Sequence, residues 1–417
     1  MNILVVGGGG REHALVWALA KSSRIQKIYC APGNGGVTEL AECVNIKATD
    51  LPALVAFARD TPVDFVLVAP DDPLALGLVD ALEEAGIPAF GPRKNAAILE
   101  SSKIFSKELM AKYRIPTAKY RSFDDMDAAL SYIRLEGAPI VVKADGLALG
   151  KGVVVATDLQ MAQDAVRAMM ADKKFGASGA RVVIEECMQG PEVTVLAFTD
   201  GKAICPMPAS QDHKRAFDGD AGPNTGGMGA FCPTPTYTPE IAQICMEQIF
   251  RPTVDAMNRE GRTFKGTLYF GLMLTASGPK VVEYNARFGD PETQPILSLL
   301  ETDLMDILEA VYEERLGELE IKWRDASACC VVMASGGYPG SYTSGYEICG
   351  LDTVPADITV FHAGTKRDGA ACRTAGGRVL GVTATGETLD AAIRRAYEGV
   401  AKISFQDAYY RSDIGKK

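Results

Sequence analysis

The sequence predicts a multidomain protein of α/β and α+β character, opening on a doubly wound parallel sheet and closing on a small α+β unit. Three observations carry this. Apolar strands at 3–7, 27–30 and 65–68 alternate with helical stretches at 11–22, 51–59 and 73–85, the pattern of parallel β-strands joined by helices. Gly91-Pro92 then breaks the chain. Past residue 321 the pattern turns strand-rich and glycine-punctuated, with strands at 329–334, 358–362 and 378–385 and a helix at 389–402. The expected divisions are 1–100, 101–320 and 321–417.

Between the breaks, residues 94–113 read as one helix, carrying Lys103. A compact α/β unit spans about 117–190: helices at 125–136 and 159–170, strands at 139–143, 153–156 and 181–185. Residues 210–229 are polar and glycine-rich and read as a long loop. A helix at 239–259 leads to strands at 267–274 and 280–284 and a further helix at 296–314.

Bulk properties narrow the function. A net charge of −10 with no Lys/Arg block argues against general nucleic-acid binding. No apolar run reaches the roughly 18–20 residues needed to cross a bilayer, so no membrane partner is expected. The chain begins on a strand, and no signal peptide is expected. Ten cysteines without a C-x-x-C pair fit a reduced, cytoplasmic protein better than a disulfide or zinc framework.

The first strand runs into Gly7–Gly10, a turn resembling a dinucleotide fingerprint. NAD binding needs an acid at the end of the second strand, and Cys30-Ala31-Pro32 stands there instead. A helix start with open amides still suits a phosphate, so Gly8, Gly9 and Gly10, with Arg11, are candidates for a phosphorylated small molecule. A purely structural turn is the competing reading.

Residues 141–155, V-V-K-A-D-G-L-A-L-G-K-G-V-V-V, invite a P-loop assignment and fail it. Position 145 is aspartate rather than glycine, Gly152 follows Lys151 where a hydroxyl is needed, and β-branched Val153–Val155 reads as a strand rather than a helix. Strand, glycine-rich turn, strand makes a hairpin flap. Gly146, Gly150, Lys151 and Gly152 would offer backbone groups to a triphosphate, with Lys143 projecting from the strand before them. The strand that ends at Glu185, Glu186 and Cys187 would present backbone to adenine, with Glu192 near the ribose hydroxyls. An ordinary strand end with solvated acids is the alternative.

Val281–Gln294, V-V-E-Y-N-A-R-F-G-D-P-E-T-Q, begins as a strand. Glu283 and Asn285 lie two apart and so share a face. A carboxylate beside an amide oxygen is a hard donor set for Mg²⁺ or Mn²⁺ that also holds phosphate; an edge strand running into a solvated turn is the competing reading. Arg287, Asp290 and Glu292 then crowd a turn set by Gly289 and Pro291. In the long loop, Asp212, His213, Lys214 and Arg215 with Asn224, Thr225 and Gly226 suit a zwitterion or a phosphate. With only three histidines, His13, His213 and His362, histidine general base catalysis has little to draw on; His213 is expected to bind or orient substrate.

Together V-V-G-G-G-G-R-E-H-A-L, V-K-A-D-G-L-A-L-G-K-G-V, S-Q-D-H-K-R, G-P-N-T-G-G-M-G-A and E-Y-N-A-R-F-G-D-P-E-T-Q closely resemble the phosphoribosylamine–glycine ligases of the ATP-grasp superfamily. The similarity runs essentially end to end. It implies a two-lobed ATP-grasp body between the N-terminal sheet and the C-terminal unit. It also implies ATP-dependent ligation of glycine to 5-phosphoribosylamine through a glycyl phosphate, in purine synthesis. Lys103 and Lys143 would then meet the nucleotide phosphates, Arg287 the acyl phosphate or glycine carboxylate, and Asp290 an ammonium group. A monomer or weak homodimer is expected. Another ATP-grasp carboxylate–amine ligase and a non-catalytic nucleotide sensor remain the rivals.

Overall fold

The structure is a computed structural model that describes residues 1–147, 152–171 and 180–416. The N-terminal sheet is fully parallel, with strands ordered Glu42–Cys43, Lys27–Pro32, Asn2–Gly7, Phe65–Val68 and Ala89–Phe90. Ile3, Leu4, Val5 and Val6 are all fully buried, as expected of a central parallel strand covered on both faces. This is the doubly wound sheet the sequence predicts.

Four helices expected to be continuous are each interrupted, and each break has a local cause. Gly77, at φ +99°, separates Asp71–Leu76 from Leu78–Glu84. Ser102 leaves helical geometry, and its side chain caps Lys103–Tyr113 by accepting the Phe105 N–H. Between Pro239–Cys245 and Arg251–Arg259 lies a π-turn, in which the Arg251 N–H reaches back to the Met246 carbonyl. Pro252 has no N–H to continue α-winding there. The stretch read as a helix at 296–314 starts earlier, as Thr293–Leu297, and resumes at Leu304–Tyr312 with Asp303 as its cap.

The first of the two expected lobes is an antiparallel sheet ordered Tyr120–Phe123, Val182–Glu186, Ile140–Ala144 and Val153–Ala156. Helices Met126–Glu136 and Leu159–Met170 pack their apolar sides on it, around Leu130, Ile133, Val142 and Val166. The expected flap is a hairpin, with Lys143 opposite Val153; its tip, including Gly150 and Lys151, lies outside the described residues. The second lobe is ordered Ile204–Pro206, Glu192–Thr199, Gly266–Thr275 and Gly278–Asn285, again antiparallel.

The segment read as a long loop is more ordered than expected. Arg215–Phe217 and Ala221–Asn224 form a hairpin. Gln211–Asp212 and Gly229–Cys232 join the C-terminal sheet, beside Ser327–Ser335, Arg378–Gly386 and Ile358–His362. Gly229 permits this junction, since a Cβ on it would stand 2.7 Å from the Cys330 carbonyl oxygen. All ten cysteines are free thiols, most of them wholly or partly buried. Among the described residues no helix is long and apolar enough to cross a membrane.

Candidate active site

A cleft of about 450 Å³ lies where the N-terminal helices, both lobes and the C-terminal sheet meet. One wall is a buried charge cluster. The Lys143 Nζ stands 3.0 Å from Glu185 Oε2 and donates to the Val282 carbonyl, also at 3.0 Å. Lys107, one turn beyond Lys103, reaches the same oxygen at 3.0 Å. Burial, and then the like charge of Lys143, pull Lys107 down to about 8 against the attraction of Glu185. Burial pushes the Glu185 carboxyl up, but the two ammonium groups outweigh it and hold it below the usual range. Two cations thus share one anion, which leaves net positive charge facing the cleft.

Asp145 ties the base of the flap to the start of the helix carrying Lys103. It accepts from Ser102 Oγ and the Ile104 N–H, both at 3.1 Å, and pairs with Arg181 at 2.7 Å. Lys103 donates to the Gly146 carbonyl at 3.2 Å. Lys103 and Gly152 line the cleft, while Gly146 acts as that acceptor beneath it.

Glu283 and Asn285 face the cleft from the strand Gly278–Asn285, on one side as the two-residue spacing requires. Neither side chain has a hydrogen-bond partner among the described residues, so both oxygens are available to a ligand. Gly271 pairs with Glu283, and a Cβ at that position would come within 3.2 Å of Glu283 Cγ. The neighbouring strand therefore presents no acid there. Among the described residues no three His, Cys, Asp or Glu side chains are grouped to hold a metal. Two hard oxygens opposite a lysine instead fit a Mg²⁺ shared with phosphate.

The strand ends at Asn285, so Arg287 reaches the cleft from the following turn rather than along the same strand face. Its Nη2 pairs with Glu100 Oε1 at 2.9 Å, and Glu100 Oε2 accepts the Ala286 N–H at 2.7 Å. Asp290 is held by Arg378 at 3.0 Å and by the Gln294 amide at 2.9 Å. Burial raises its carboxyl, but Arg378 and then Arg11 outweigh burial and keep it low, hence ionised.

The loop contributes Asp212, Lys214, Thr225 and Gly226 to the cleft. Lys214 pairs with Asp212 at 2.9 Å and with Glu192 at 2.7 Å. The Gly226 N–H donates to the Tyr338 hydroxyl at 3.0 Å, and its carbonyl accepts from Arg378 at 2.8 Å.

Other expected positions fall elsewhere. Gly8, Gly9 and Gly10 do not line the cleft. The Gly9 N–H is taken by Glu12 Oε2 at 2.5 Å, and a Cβ on Gly8 would lie 2.5 Å from the Gly33 carbonyl oxygen. The turn thus has its Gly9 amide occupied and packs on its neighbour; Arg11 beyond it faces the cleft. His213 is fully buried, its ring 6.0 Å from that of Phe231, because the strand pairing around Gly229 turns it into the core. Asn224 is a hairpin residue opposite Arg215. Glu186 pairs with Lys280 at 3.1 Å, and neither it nor Cys187 nor Glu192 lines the cleft. Lys107, Glu100, Tyr269, Tyr338 and Arg378 line it without having been singled out from sequence. Lys107 had a legible signal, being four residues after Lys103 and so on its helix face.

The sheets and cleft define an ATP-grasp protein. Residues 1–100, 101–293 and 328–417 match the N domain, the ATP-grasp (A) domain and the C domain of phosphoribosylglycinamide synthetase. A phosphoribosylamine–glycine ligase of Vibrio cholerae is 49% identical, covering 100% of this chain and 98% of that protein. The crystal structure of a phosphoribosylamine–glycine ligase from Thermotoga maritima superposes with a TM-score of 0.87 at 33% identity, covering 99% and 100% of the two chains. The biotin carboxylase domain of a Hydrogenobacter thermophilus 2-oxoglutarate carboxylase shares the fold, with a TM-score of 0.75 at 14% identity and coverage of 98% and 91%. The chain belongs to the phosphoribosylglycinamide synthetase family.

Proposed function

We propose that the chain ligates glycine to 5-phosphoribosylamine at the expense of ATP, giving glycinamide ribonucleotide, ADP and phosphate. One observation carries this reading: a single cleft joins a lysine-rich wall and the Glu283/Asn285 oxygen pair to an Arg287, Asp290 and Arg378 group. The first half suits a triphosphate, the second a zwitterion and its acceptor. The end-to-end likeness to phosphoribosylamine–glycine ligases supports it.

Lys103 and Lys143 bind the phosphates and neutralise charge on the transferring oxygens. Glu283 and Asn285 hold Mg²⁺, which when bound withdraws charge from those oxygens. Arg287 orients the glycine carboxylate toward the γ-phosphate, and ionised Asp290 faces the glycine ammonium group. The resulting glycyl phosphate is attacked by the phosphoribosylamine nitrogen. Ten free thiols, most of them wholly or partly buried, support a cytoplasmic location.

ADP release measured with each substrate omitted tests the reading. Turnover is expected to need both glycine and phosphoribosylamine; turnover with another carboxylic acid in place of glycine would overturn it.

A further inference from the structure

Resting on the function proposed above, we propose that Glu292 is the general base that takes the proton from the phosphoribosylamine nitrogen as it attacks the glycyl phosphate. In that step the nitrogen–carbonyl bond forms and the carbonyl–oxygen bond to phosphate breaks. Phosphate leaves with the bonding pair, and the nitrogen's proton passes to the Glu292 carboxylate.

Glu292 lines the cleft next to Asp290 and is 4% exposed. Its Oε1 accepts from the Tyr269 hydroxyl at 3.0 Å, and that hydroxyl lies 2.9 Å from Thr194 Oγ1. One neutral hydroxyl, itself held by a second, therefore fixes the carboxylate in place. Glu100, Glu185 and Asp212, the other acids buried around the cleft, are each paired with a lysine or arginine, as is the half-buried Asp290. Ion pairing keeps a carboxylate ionised but weakly basic; a carboxylate held by a phenol retains its basicity.

The surrounding charges agree with this role. Burial, and next the negative charge of Asp212, push the Glu292 carboxyl up to about 7 against the pull of Lys214 and the Tyr269 hydrogen bond. Arg287, Arg378 and the Cys330 thiol are the other titratable or charged groups that feel it. No histidine competes. His213 is in the core, while the His13 ring accepts the His362 backbone N–H and the His362 ring meets Thr365, at the junction of the N- and C-terminal sheets.

The test compares two acceptors. Hydroxylamine captures an acyl phosphate as a hydroxamate, and its weak basicity frees it from a need for general-base help. Glu292→Gln is expected to lower phosphoribosylamine-dependent product formation by about 100-fold or more, while glycine hydroxamate formation stays within about twofold of wild type. Equal loss of both activities, or loss of neither, would overturn the assignment. A wild-type enzyme that yields no hydroxamate would fail differently, by removing the acyl phosphate itself. Tyr269→Phe gives a second readout that needs no change at Glu292. Loss of its hydrogen bond raises the Glu292 pKa, so the acid limb of kcat/KM for phosphoribosylamine moves to higher pH; an unmoved limb contradicts the proposal.

Discussion

Arg287 and Glu100 form a largely buried ion pair, 2.9 Å between Nη2 and Oε1, linking the turn after the strand Gly278–Asn285 to the helix before Lys103. The second oxygen of Glu100 takes the Ala286 N–H at 2.7 Å, so one carboxylate fixes both the side chain and the backbone of that turn. Burial alone would raise the Glu100 carboxyl, and it does so despite Arg287.

Removing Glu100 leaves a buried guanidinium without its counter-ion. Glu100→Ala is expected to cost about 3–5 kcal/mol of stability, read from urea unfolding. It should also lower kcat more than it raises the KM for ATP, because the damage falls on the glycine side. A loss below about 1 kcal/mol, the size of a surface pair, would show that the pair is dispensable.

Glu283→Gln is expected to cut turnover far more than it weakens adenosine binding. In the proposed role the carboxylate acts on the phosphate end of the nucleotide, and binding of the base and ribose would not depend on it. Equilibrium binding of adenosine beside kinetics with ATP makes the comparison. Equal losses in both would remove Glu283 from the metal site.

Arg411 is 1% exposed and holds the hairpin of residues 215–224 from the C-terminal tail. It donates to the Arg215 carbonyl at 3.1 Å and to Asp220 at 2.9 Å, and pairs with Asp413 at 2.7 Å. Arg411→Ala should speed proteolytic cleavage at 218–222 several-fold, since those turn residues lose their anchor. The KM for phosphoribosylamine is expected to rise, because the hairpin lies between Lys214 and Thr225. Mass spectrometry of the first cleavage products would locate the change.

His13 and His362 predict an acid-labile junction. Burial, then the neighbouring His362, lowers His13 from 6.5 to about 3; burial, then Arg367, lowers His362 from 6.5 to about 4. Both bind protons more readily when unfolded. Their stabilising effect is complete above pH 6.5 and is lost as the pH falls from there toward the folded values. Within that window each ring contributes a slope of about 1.4 kcal/mol per pH unit. Urea unfolding across this range should show the slope, and His13→Gln should reduce it by roughly one proton's worth. A slope unchanged by that substitution would assign the acid sensitivity elsewhere.

Much of the site was legible because its signals are local. The N-terminal parallel sheet follows from alternating apolar runs and helices. The flap follows from glycines between β-branched stretches, and the Glu283/Asn285 pair from the two-residue period of a strand. Interruptions in the helices were less legible. Ser102 and Pro252 carry local signals, but Gly77 lies inside an otherwise helical pattern that tolerates glycine.

What the sequence by itself determined is which local elements carry the candidate groups: Lys103 at the start of a helix, Lys143 on the strand before the flap, and Glu283 with Asn285 on one face of a strand. Only the tertiary structure decided which residues meet across elements. It brought Glu100 to Arg287 over 187 positions, Arg378 to Asp290 over 88, and Lys107 to Glu185 over 78. It also placed Gly8, Gly9, Gly10 and His213 outside the lining of the cleft, because the first turn packs on Gly33 and Glu12 and because strand pairing turns the histidine inward. The physical reason is range. Backbone periodicity acts over a few residues, whereas a buried charge must find its counter-charge wherever the fold places one.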